Sequence, residues 1–167
     1  MITILLLAVL GAVLSRWNSG PQLPWWKPGH TVKRICVAGV LGIALFVLSG
    51  DPWTLLAGLA LFVGLLMPWA EFQDFGRVAG SERRDFIGMT VVGGILVALP
   101  TAAVLAFAGY DSAPLVLVAT AFTGPAYWAS WTYLDDMRWS GFIDGPTALG
   151  ELARGFLIFG SAAWVVS

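Results

Sequence analysis

The sequence predicts an all-α membrane protein whose six transmembrane helices form three helical hairpins. Three observations carry this reading. Apolar residues make up 58% of the 167-residue chain and charged residues only 11%, against roughly a quarter charged in a soluble domain; mean hydropathy is +0.82. Six apolar runs recur, divided by Pro, Gly and charge. All nine basic residues lie in or beside the first, third and fifth connections between those runs.

The runs are Ile2–Trp17, Val32–Ser49, Trp53–Ala70, Phe86–Gly109, Pro114–Leu134 and Leu149–Val166. A bilayer core takes about 20 apolar residues as a helix, with a range of about 17–25. The first and last runs are short and borrow interfacial residues. Strands are a poor alternative, because polar–apolar alternation is absent, whereas a helix satisfies its own backbone in lipid. One transmembrane domain thus covers residues 1–167, with hairpins at about 1–50, 51–110 and 111–167.

The first run has no basic residue ahead of its apolar core; Arg16 follows it. A secretion signal has the opposite order, so a retained helix is expected. Ahead of the fourth run, Ser81 is placed to cap a helix with Glu82 and Asp85 in its first turn, where anions are favoured. Arg83 and Arg84 then meet lipid phosphates. Pro100 and Pro125 are expected to kink the fourth and fifth helices. Glu151 and Arg154 are spaced for an i, i+3 pair at the foot of the last helix. Gly39, Gly42, Gly58, Gly64, Gly88, Gly93 and Gly94 fall within helices, where small residues let neighbours approach closely.

Charge orients the bundle. Arg16, Lys27, Lys33, Arg34, Arg77, Arg83, Arg84, Arg138 and Arg154 gather on one side, while "SGDP" and "GYDSAP" carry only Asp51 and Asp111. The positive-inside rule then puts connections one, three and five in the cytoplasm and both termini outside. Trp17, Trp25, Trp26, Trp69 and Trp139 fall near the inner boundary and Trp53 near the outer one, the depths of aromatic belts. In "PQLPWWKPGH" the prolines block helix, leaving Trp25, Trp26 and Lys27 as anchors among headgroups.

Arg16, Arg77 and Arg138 recur every 61 residues, bringing "RWNSG", "RVAGS" and "RWSGF" into register. "DFGRVAG" and "DDMRWSG" both read D-x-x-R-x-x-G, while the first copy has Val13 in place of the aspartate. Each unit is a helix in, a basic loop and a helix out. Three such units imply pseudo-threefold character about an axis along the membrane normal.

Asp74–Arg77 and Asp135–Arg138 are spaced to pair on one helix face. With Glu71, Asp136, Glu151 and Arg154 they form the candidate functional polar cluster. One reading is a set of helix-end anchors. The other is a cytoplasmic Asp/Arg vestibule for a cation or proton. No triad, zinc spacing or phosphate-cradling glycine loop occurs, so no catalytic residue, metal or cofactor is assigned. His30 and Cys36 stand alone, and a net charge of −1 argues against nucleic acid.

"DGPTALGELARG" resembles the start of the CDP-alcohol phosphotransferase signature, but the arginine after Asp-Gly and the later metal-binding aspartates are missing. That chemistry is set aside. "PWAEFQDFGRVAGSERRDFIGM", with "GELARG", resembles small polytopic inner-membrane proteins of tailed bacteriophages and prophages. The resemblance implies a bacterial inner membrane and no catalytic residue. The expectation is a non-enzymatic protein acting through self-assembly or a membrane partner, in lysis, entry or superinfection exclusion. A small channel or transporter using the vestibule is the alternative, and a lipid-modifying enzyme the remotest.

Overall fold

The computed structural model describes residues 1–18, 28–66, 83–126 and 145–167. Its described residues form helices and turns without a strand. The helices are α1 (Ile2–Asn18), α2 (Pro28–Ser49), α3 (Trp53–Leu66), α4 (Arg83–Phe107), α5 (Pro114–Ala121) and α6 (Gly145–Val166). They fall on the six apolar runs in order. Two stretches, Thr31–Ser49 and Thr90–Phe107, are long and apolar enough to cross a membrane, and shorter apolar helical stretches cover Ile2–Trp17, Trp53–Val63 and Pro114–Ala126.

Glycine ends two helices at one end of the bundle. Gly50 (φ +70°) and Gly109 (φ +94°) both adopt the left-handed conformation that side chains resist. The Gly50 amide donates to the Phe46 carbonyl (2.8 Å), the αL cap. The Gly109 amide reaches Ala106 (3.0 Å) and the Tyr110 amide reaches Leu105 (3.1 Å), the paired bonds of a Schellman motif. Beyond each glycine, Pro52 and Pro114 stand where a new helix starts.

α2, α3, α4, α5 and α6 pack successively, each on the next, and α1 closes the set by lying antiparallel along α6. α1 packs far less on α2, its neighbour in sequence. Small residues set the closest crossings. A Cβ on Gly155 would collide with the Gly11 carbonyl and Ser15, and one on Gly11 would collide with Phe159. Between α2 and α3, a Cβ on Gly58 would lie 2.6 Å from the Gly42 Cα. Between α4 and α5 with the turn that follows it, one on Gly94 would lie 3.0 Å from the Thr120 carbonyl and 2.6 Å from Thr123 Oγ1. Gly39 and Gly88 correct the expectation that helix glycines mark contacts: both face open space.

Leu41, Leu45, Leu61, Val97, Leu105 and Val116 fill the interior with Ala57, Ala98 and Ala162. Thr54, Thr90, Thr101, Thr120 and Thr123 are also fully buried. Their hydroxyls turn to carbonyls where one is in reach: Thr120 donates to Val116 (2.6 Å) on its own helix, and Thr101 to Ala57 (3.4 Å) across to α3. The outward faces carry Leu6, Val13, Ile43, Val47, Leu59, Val92, Val118 and Phe122, all exposed. Apolar side chains thus fill the interior and also cover the outward faces, and it is the outward set that departs from a water-soluble bundle.

α4 runs unbroken through Pro100. The fifth run instead stops at Phe122, a turn residue, and resumes over 123–126. Pro125 has no amide to give the Ala121 carbonyl, and the Phe122 amide bonds three residues back, to Ala119 (3.1 Å).

These crossings give a paired expectation for thermal unfolding in detergent. Gly58→Val forces α2 and α3 apart and costs about 2 kcal/mol or more. Gly39→Ala, facing open space, is neutral or stabilises by up to about 1 kcal/mol through helix propensity. Equal losses for the two would disprove the assigned seam.

Candidate functional site

The antiparallel contact of α1 and α6 builds a polar cluster at the end opposite the glycine turns. Ser15 lies one helical turn beyond Gly11, and Glu151 one turn before Gly155, each on the contact face. Backbone proximity at the glycines therefore holds the last turn of α1 beside the first turns of α6. There the Arg16 guanidinium donates to Glu151 Oε2 at 3.1 Å, joining residues 135 apart in sequence. Glu151 is 6% exposed, while the Arg16 side chain is 41% exposed. Burial would make this carboxylate costly as an anion. The cation at the wetter rim offsets that cost, and solvent screening limits its net worth to about 1–2 kcal/mol.

α2 brings two more cations to the same end. Arg34 is buried. Lys33 donates to the Trp17 carbonyl at 3.4 Å, and its ammonium lies 5.4 Å from the centre of the Trp17 ring, within cation–π range. Arg154 and Ser15 line a small pocket between α1/α6 and α2/α3, with Val37, Leu61, Ile158 and Phe159 as its apolar walls. Arg83 and Arg84 open α4 at this end too. Among the described residues no three His, Cys, Asp or Glu side chains are placed to hold a metal ion.

The other end is acidic and tied across its two turns. Tyr110, after α4, donates its phenolic proton to Asp51 Oδ2 at 3.0 Å. Asp51 Oδ1 accepts the Trp53 amide (3.0 Å), and Thr54 Oγ1 donates to the Asp51 carbonyl (2.6 Å). Trp53 and Phe107 meet edge to face at 5.8 Å beside them. Removal from water, then the bond to Asp51, pushes the Tyr110 phenol above its ordinary value of 10.0. Charge thus segregates in space as it does in sequence: the described basic groups sit at one end, Asp51 and Asp111 at the other.

Of the sequence-derived cluster, Glu151, Arg154 and the anchor Trp17 come together here. Glu151 also meets Arg16 across the bundle, a partner the sequence reading did not name. Glu71, Asp74, Arg77, Asp135, Asp136, Arg138, Trp25, Trp26 and Lys27 lie outside the described residues, as do the D-x-x-R-x-x-G repeats. The sequence reading treated Arg16, Lys33 and Arg34 as topology markers and overlooked Ser15 and Tyr110. The available signal for the ion pair was Glu151, an acid opening an apolar helix, which needs a cation from somewhere. Compared with protein-family models, curated proteins and solved structures, the chain finds no match in any of the three.

Two measurements check the two ends. Arg16→Ala is expected to cost about 1–2 kcal/mol of stability, Arg16→Lys less, and Glu151→Ala to cost less in the Arg16→Ala background than alone; strict additivity would mean no coupling. At the acidic end, the fold favours the neutral phenol, so the contribution of Tyr110 is full below pH 10.0 and fades as pH rises through the higher folded value. Tyr110→Phe should abolish this alkaline loss and remove a late-titrating phenolate signal. An unchanged alkaline profile in Tyr110→Phe would show the tie to be inert.

Proposed function

We propose that this chain is a six-span bacterial inner-membrane protein with both termini outside, working without catalysis through self-assembly or contact with a membrane partner. The observation that carries the reading is the apolar cover on the outward faces. Exposed Leu, Val, Ile and Phe cover the outward faces, and Thr, Glu and Arg are held within. Lipid is the solvent in which that distribution is favourable.

Segregation of charge supports the orientation, with the Arg16–Glu151 end in the cytoplasm. In the six-span reading the chain order gives three hairpins, while α1 packs on α6 in preference to α2, and that contact closes the helices into one body. The small-residue seams and the leucine- and alanine-filled centre favour a solid body acting by its surfaces over a conduit. The likeness to phage-encoded proteins makes lysis, entry and superinfection exclusion the settings to assay.

The experiment has a topology arm and a function arm, both in a Cys36→Ser background. Asp111→Cys should react with a membrane-impermeant maleimide in spheroplasts, and Asn18→Cys only after lysis; the reverse pattern overturns the orientation. Expression in bacteria should alter growth, membrane potential or phage sensitivity, or yield a cross-linked complex. No effect and no complex would remove the assembly reading.

A further inference from the structure

We propose that the fifth apolar segment carries a two-state hinge at Phe122. The hinge exchanges the observed turn for an unbroken helix by handing the Ala119 carbonyl from the Phe122 amide to Thr123. The proposal goes beyond the reading above and does not depend on it.

Three helical hydroxyls set a pattern. Ser49, Thr120 and Ser161 each donate to the carbonyl four residues back, at 2.8, 2.6 and 2.5 Å. Thr123 departs from it. The residue is fully buried, and its hydroxyl has no hydrogen-bond partner, the only buried hydroxyl so placed among the described residues. Four residues back from Thr123 is the Ala119 carbonyl, which accepts the Phe122 amide at 3.1 Å. In an unbroken helix the Phe122 amide would belong to Val118, and the Ala119 carbonyl would receive the Thr123 amide and hydroxyl together. The turn at Phe122 and the orphaned hydroxyl are thus one event.

Two costs oppose each other across this exchange. The unbroken helix drives the Pro125 ring against the Ala121 carbonyl. The turn relieves that clash but leaves a buried hydroxyl unmet. The two are of the same order, which is the condition for two populated forms. An unbroken form is compatible with this fold, since α4 carries its own helix through Pro100. Packing at the joint is spare. Thr123 lies over Gly94 of α4, and Gly124 lies against Val91 and the Ile87 carbonyl of the same helix. Neither glycine presents a side chain that a pivot must clear, and hinges commonly use such small residues. What swings is Phe122, 61% exposed on the outward face, with the short helical segment 123–126 behind it. A ligand of that face that prefers one form shifts the balance.

The test places 4-fluorophenylalanine at Phe122 alone in the full-length protein and reads fluorine NMR in detergent micelles. The wild type should give two lines, or one averaged line lying between those of two variants. Thr123→Val removes the hydroxyl and keeps the shape, so it should favour the turn about fivefold. Thr123→Ser should keep the wild-type spectrum. Pro125→Ala returns an amide to the Ala121 carbonyl and should move the balance about tenfold the opposite way. Thr101→Val, which removes a buried hydroxyl bonded across to Ala57, should lower the unfolding midpoint and leave the spectrum alone. Circular dichroism confirms the helicity of each variant, and Pro125→Ala decides on its own where Thr123→Val does not fold. A wild-type signal that neither Thr123→Val nor Pro125→Ala moves, or that both move the same way, overturns the hinge. So does a shift in Thr101→Val as large as that in Thr123→Val.

Discussion

The first and last helices touch backbone to backbone at Gly11 and Gly155, and the basic end of the bundle depends on that contact. Each glycine costs its helix about 0.8–1 kcal/mol relative to alanine. What it permits is an approach in which Phe159 packs over Gly11, and Ser15 sits against Gly155. Only at that separation does the short Glu151 side chain meet Arg16 at 3.1 Å. The chain is closed by its ends: α1 neglects α2, which follows it, for α6, which comes last.

Cohesion in such a bundle has to come from packing and internal polar bonds. In lipid, burying a leucine gains little, since the tails outside are equally apolar. The seams at Gly42/Gly58 and Gly94/Thr123 and the carbonyl-bonded Thr101 and Thr120 fit that requirement. The two ends are pinned by different chemistry. An ion pair joins α1 to α6 at one, and a phenol–carboxylate bond joins the two glycine-capped turns at the other. Neither is strong alone. Both are specific, because a shifted helix would lose its partner.

Helix placement was legible in the sequence because apolar runs between Pro, Gly and charge leave little choice, and all six runs carry helices. The interruption at Phe122 was half legible: Pro125 announces a lost bond, while the unbroken α4 across Pro100 shows that the same residue need not stop a helix. Glycines were read as one class, although Gly58 is a contact and Gly39 is not; which face of an apolar helix meets a neighbour leaves no periodic trace when every face is apolar. The Arg16–Glu151 pair could not be found locally, since 135 residues separate its members and only the α1–α6 crossing joins them. Most of the acidic cluster that the sequence singled out falls outside the described residues, whereas the cations read as topology markers became the site.

The central claim is that lipid surrounds the outward faces, and the local solvent at those faces tests it most directly. Nitroxides placed singly at Leu59, Val92 and Val118, exposed positions on three helices, can be read in bilayers by their collisions with oxygen and with a water-soluble nickel chelate. The account requires high oxygen and low nickel accessibility at all three. Nickel accessibility at these positions matching that of a label on the exposed Asp111 turn would contradict it.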